Sequence, residues 1–118
     1  MKDTKNTQEK AVPFLRVSSR EQQEEGFSLE SQVRLVTEYS QRHAFDMVKQ
    51  FAVAESARRS QERKTFVEML AYVRKNHINV ILVEKVDRLT RNMKDAVIVD
   101  EWLQEDEKHQ IHFIKDNL

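Results

Sequence analysis

INVILVEKV, residues 78–86, is the most apolar run in a chain of 118 residues, rich in branched side chains and bounded on both sides by polar ones. A strand with one face in water alternates apolar and polar residues, whereas a parallel strand covered on both faces reads as a continuous apolar run. The stretch therefore predicts a buried central strand with helices packed on either side of it.

Working outward, Phe66, Met69, Leu70 and Val73 recur at helical spacing from about Glu62 to Lys75, and Asn76 is a helix stop. AESARRSQERK, just before, is polar and basic and reads as a mobile loop. FDMVKQFAV, residues 45–53, reads as a second strand. Ser28 is placed to cap a helix running to about residue 43, with Leu29, Gln32, Val33, Val36 and Tyr39 at helical spacing. AVPFLRV, residues 11–17, reads as the first strand, with Pro13 near its start, where a missing amide donor costs least. Residues 1–10 lack periodicity and read as a loose leader.

On the other side of the apolar run, DRLTRNMKD reads as a loop. DAVIVDEWLQED reads as a helix with Ala96, Val99, Trp102 and Leu103 inward, and IHFIK, residues 111–115, as a closing strand. Strands alternating with helices at this spacing predict an α/β fold of three layers, a mostly parallel sheet with helices on both faces and right-handed crossovers. Ligands of such sheets bind outside the carboxyl ends of the strands.

Hydrophobic residues make up 39% of the chain and charged residues 34%, with no cysteine and a single glycine, Gly26. This predicts one folded domain with a heavily charged surface, without a disulfide framework or thiolate metal site. No window approaches a membrane span and the N-terminus lacks the apolar core of a secretory signal, so a cytoplasmic location is expected, away from any membrane. The histidines His43, His77, His109 and His112 are scattered and read as structural. Net charge is zero, yet residues 53–91 carry nine basic side chains against five acidic ones, so an anion is drawn to that segment.

The carboxyl edge gathers a specific chemistry. FLRVSSREQ, residues 14–22, runs from apolar strand into Arg16, Ser18 and Ser19, and Arg63, Arg88 and Arg91 follow the second and central strands. Guanidinium forks match phosphate oxygens and can cancel the charge of a phosphodiester as it becomes five-coordinate. A serine aimed at that phosphorus could attack it. Each feature has a plainer reading: Ser18 and Ser19 as loop hydroxyls, Asp87 with Arg88 and Arg91 as a surface ion-pair cluster, the basic run as a solvated face. Their convergence at one edge points to an anion site, with or without chemistry. A single glycine cannot build a phosphate-cradling or dinucleotide loop, and strand one ends in Arg and Ser where a metal-binding receiver domain needs acids.

FLRVSSREQ, GFSLESQ, AESARRSQERKTFVEML and ILVEKVDRLTRN together resemble the catalytic domain of the serine site-specific recombinases, the resolvase, invertase and large serine integrase group, over about residues 12–115. The resemblance implies that Ser18 is the nucleophile and that Arg16 holds the scissile phosphate. It places Arg63, Arg88 and Arg91 in the phosphate cluster, Asp87 as its orienting or proton-transferring acid, and Gln22 and Gln32 in support. It further implies double-stranded DNA as substrate, cleavage through a covalent 5′-phosphoserine intermediate without metal, cofactor or ATP, and a dimer that works as a tetramer. Family members continue into a dimerisation helix and a DNA-binding region, so residues 11–118 are expected to be the catalytic domain without them, and inactive alone. Val53 and Ala57 stand where many members carry an acid and a glycine, leaving Glu55 as the substitute. A non-catalytic DNA-associated module on the same fold is the alternative, and a flavodoxin-like nucleotide-binding domain a weaker third.

Overall fold

The computed structural model describes residues 8–17, 29–54, 58–84 and 93–116. Five strands and three helices alternate along them: β1 (Glu9–Val17), α1 (Leu29–Arg42), β2 (Phe45–Met47), β3 (Phe51–Ala54), α2 (Arg59–Lys75), β4 (Val80–Val83), α3 (Met93–Glu105) and β5 (Gln110–Phe113). A 3-10 turn, Ile114–Asp116, follows. The sheet order is β2-β1-β4-β5 with β3 also on β1, and every strand pair is parallel.

The run that decided the reading behaves as expected, since all four residues of β4 are buried. Their side chains alternate between two cores. Ile81 and Val83 join Val12 and Phe14 of β1 under α2 and α3, where Phe66, Met69, Leu70, Val73, Val99 and Trp102 close the layer. Val80 and Leu82 join Ala11 and Leu15 under Val36 and Tyr39 of α1. Helices on both faces of a parallel sheet are thus the direct result of β4 having no polar face.

Several boundaries differ from the sequence reading, and the strand over residues 45–53 comes first. The expected strand over residues 45–53 is two strands, because the register on β1 slips by one residue. Ala11 faces Met47 and Phe14 faces Phe51, so Val48, Lys49 and Gln50 lie opposite only Val12 and Pro13. Pro13 supplies the reason. Strand β1 begins at Glu9, inside the expected leader, so the proline sits in mid-strand. The Ala11 carbonyl accepts from the Val48 amide at 3.1 Å. Peptide groups alternate along a strand, so the missing N–H of Pro13 falls on that same side, where the partner bulges.

Second, the basic stretch expected to be a loop over residues 54–64 is helical from Arg59 onward. Third, the closing strand is β5 at Gln110–Phe113, and Ile114 and Lys115 turn away in the 3-10 segment.

The approach to β4 is fixed by the end of α2. Asn76 caps it, His77 adopts a left-handed φ of 55°, and the amides of His77 and Ile78 return to the carbonyls of Arg74 and Val73. This is a Schellman arrangement, and its usual apolar contact is supplied by Ile78 and Val73, both in the core. Ala44, two residues after α1, takes φ 59° in the same way. Neither position is a glycine.

Candidate active site at the carboxyl edge

Two polar clusters occupy the carboxyl edge of the sheet, one on each face. Arg16 has the same parity as Val12 and Phe14, so its side chain leaves β1 toward α2. It is only 4% exposed, and its Nη1 donates to Glu62 Oε2 at 2.8 Å. A guanidinium removed from water requires such a compensating charge. The next residue of α2, Arg63, donates in the other direction to Asp95 in the first turn of α3. Glu62 and Arg63 thus tie the start of α2 to β1 on one side and to α3 on the other. The N-cap residue, Arg58, makes no side-chain cap bond, so the ion pairs anchor this end where a cap would otherwise do so.

On the opposite face, Glu84 follows β4 directly and is 4% exposed. Gln32 of α1, also buried, donates from Nε2 to Glu84 Oε1 at 3.3 Å, and Lys115 reaches Glu84 Oε2 at 2.9 Å. The amide of Lys115 donates to the Glu84 carbonyl as well, at 2.9 Å.

Of the residues singled out in the sequence, Arg16, Arg63 and Gln32 are placed by these contacts. Arg16 and Arg63 share a face, joined through Glu62, and Gln32 lies across the sheet from them. Arg63 belongs to a helix, and not to the end of a loop as expected. Ser18, Gln22, Asp87, Arg88 and Arg91 lie outside the described residues, as do Glu55 and Ala57, while Val53 is buried in β3. The chain leaves β1 at Val17, one residue before Ser18, and leaves β4 at Val83, four residues before Asp87. Among the described residues no three His, Asp or Glu side chains converge as a metal ion would require, and no helix is long and apolar enough to cross a membrane.

Four residues of these clusters were missed in the sequence: Glu62, Asp95, Glu84 and Lys115. Glu84 was legible, since a carboxylate embedded in INVILVEKV must be buried and therefore partnered. Glu62 and Asp95 carried no such signal, because each sits in a first helical turn, where acids are common.

Two of the scattered histidines are held by contacts with core residues. His109 stacks on Trp102 at 4.1 Å and donates from Nδ1 to the Trp102 carbonyl. His112 accepts at Nδ1 from the Tyr39 hydroxyl and donates from Nε2 to Gln110. Burial, and secondarily the charge of His43, push the His112 pKa below its ordinary value.

This architecture is that of the serine recombinase catalytic domains. The chain belongs to the family described as Resolvase, N terminal domain, which matches residues 11–118. Among solved structures it resembles the N-terminal catalytic domain of TP901-1 integrase, with a TM-score of 0.75 at 23% identity, covering 93% of this chain and 81% of that one. It also resembles the C-terminal catalytic domain of ISC1926 TnpA, an IS607-like serine recombinase, with a TM-score of 0.67 at 29% identity over 91% and 70% of the two chains. A resolvase family site-specific recombinase from Streptococcus pneumoniae superposes with a TM-score of 0.68 at 22% identity, over 94% and 75%. No curated protein matches the sequence.

Proposed function

We propose that this domain cleaves and rejoins double-stranded DNA as the catalytic part of a site-specific recombinase. The observation that carries the reading is Arg16. A buried arginine at the carboxyl end of β1, two residues ahead of a serine, suits an anion arriving at that serine.

In this reading the Ser18 Oγ attacks a backbone phosphorus. An O–P bond forms to serine as its hydroxyl proton is given up, the bond from phosphorus to the 3′ oxygen breaks, and the leaving 3′ oxygen takes up a proton in its place. The product is a 5′-phosphoserine ester and a free 3′ hydroxyl. The ester conserves the phosphodiester bond, so attack by a 3′ hydroxyl reseals the strand without ATP. Arg16, Arg63, Arg88 and Arg91 supply the positive charge around the phosphate, Asp87 orients that cluster or takes part in proton transfer, and Gln22 and Gln32 are supporting polar residues. Recombination of two duplexes breaks four strands, which calls for four such domains. Residues 11–118 form the catalytic domain, and dimerisation and DNA recognition belong to segments outside it.

The test is a denaturing gel of the domain joined to the dimerisation and DNA-binding segments that the reading assigns outside it, incubated with DNA flanking its own gene. A covalent protein–DNA band that disappears in Ser18→Ala is expected. A band that persists in the variant displaces Ser18 from its role, and bound DNA without any band turns the reading toward a non-catalytic DNA-associated module.

A further inference from the structure

Glu62 is not among the residues that the proposed reaction uses, yet it is the side chain that holds Arg16. Arg16 is almost fully buried, and a 2.8 Å contact from Nη1 to Glu62 Oε2 links it to α2. A guanidinium carries five donors in a rigid plane. Pinning one of them from the helix side fixes the direction of the others. The partner is itself fixed, because Arg63, the next residue, is tied to Asp95 of α3. The relay Arg16, Glu62, Arg63, Asp95 thus runs from β1 through the first turn of α2 to α3, alternating in sign at each step.

We infer that Glu62 is a positioning residue for the phosphate site, orienting the Arg16 guanidinium toward the carboxyl edge of the sheet, with Asp95 anchoring the turn that carries it. The inference rests on the proposed function, because it concerns the rate of the step that Arg16 serves. A competing role is physically distinct. A carboxylate that merely neutralised Arg16 would be displaced by the incoming phosphate, and its removal would then strengthen DNA binding. The buried geometry favours orientation, since loss of Glu62 removes the tie between the guanidinium and α2 and, with it, the direction which that tie gives to its donors.

Glu62→Gln is compared with Glu68→Gln, which removes the same charge from an exposed position of the same helix. The rate of covalent attachment and the affinity for the same duplex are measured separately, after Trp102 fluorescence shows that the variants are folded. Glu62→Gln is expected to slow attachment by roughly tenfold to a hundredfold, the usual scale for a displaced catalytic group, with affinity unchanged. Glu68→Gln is expected to leave both at wild-type values. In an Arg16→Ala background, Glu62→Gln should have no further effect on the rate, which a merely structural role would not produce.

Tighter DNA binding by Glu62→Gln, or equal losses in the presence and absence of Arg16, would overturn the inference. If Glu62→Gln does not fold, Asp95→Asn, which loosens the relay one step further from Arg16, must show the smaller loss of rate at constant affinity, and a wild-type rate there is equally fatal. Absence of attachment by the wild type on bound DNA removes the recombinase reading itself, and the role of Glu62 with it.

Discussion

Helix α2 makes an arginine–carboxylate pair at each end, and the two pairs differ in everything but chemistry. At the carboxyl edge of the sheet, Glu62 holds Arg16, with side chains 13% and 4% exposed. At the opposite edge, Arg74 meets Glu105 of α3 through two contacts, at 3.2 and 2.7 Å, with both side chains more than two-fifths exposed. The second pair has the better geometry, since it is two-pronged. Each partner still shifts the other: the hydrogen bond from Arg74 lowers the Glu105 pKa, and Glu105 raises that of Arg74. Water and salt screen it nonetheless, so it adds little to stability. The first pair matters more to the fold because it is buried, so breaking it from either side disturbs a charge held away from water. Ion pairs in this domain are therefore to be ranked by burial and not by the number of contacts.

Breaking each pair tests that ranking. Glu62→Ala should destabilise the domain by about 3 kcal/mol, the usual cost of breaking a buried ion pair from one side, read as a lower denaturant midpoint by fluorescence of Trp102, the sole tryptophan and fully buried. A midpoint near wild type would mean that Arg16 is not truly desolvated. The next effect is on pH. Because the folded-state pKa of His112 is depressed, the unfolded chain takes up its proton first as pH falls. Stability should therefore decline from about pH 6.5 downward and level off below the native pKa. His112→Gln should flatten that slope in urea titrations between pH 7.5 and 5. An unchanged slope would locate the acid sensitivity elsewhere.

A smaller gain should come from Ala44→Gly. A non-glycine residue at φ 59° carries strain, and relieving it should stabilise the domain by roughly 0.5–1 kcal/mol, visible as a raised melting temperature. A lowered melting temperature would show that the entropy of the unfolded chain outweighs the strain. The smallest effect belongs to Glu105→Ala, which should leave the melting temperature within error of wild type at physiological salt. A clear loss there would erase the contrast between the two edges.

Much of this was legible before any coordinates. The doubly covered β4, the three helices and the two-faced core follow from INVILVEKV and from apolar spacings such as Phe66, Met69, Leu70 and Val73, because period and burial are written in side-chain type. Arg16 and Arg63 stood out in the sequence because guanidinium forks match phosphate oxygens, whereas Gln32 stood out only through the family resemblance. It was not legible that Gln32 lies across the sheet from the two arginines, because the face a side chain takes depends on strand register and on which helix lands above it. The split of residues 45–53 into β2 and β3 was hidden for a related reason. The cause, Pro13, lies more than thirty residues away in sequence, and its missing amide matters only once β1 has acquired a neighbour.

The sequence by itself determined the class of fold, the family and the charges available at the carboxyl edge, since these depend on composition, period and local motif. Only the tertiary structure decided who partners whom. Glu62 and Glu84 are both acids in the sequence, and one became the keeper of Arg16 while the other was shared by Gln32 and Lys115. Burial makes an unpaired charge too costly to keep, so each carboxylate is bound to whatever cation or donor the folded chain brings within reach.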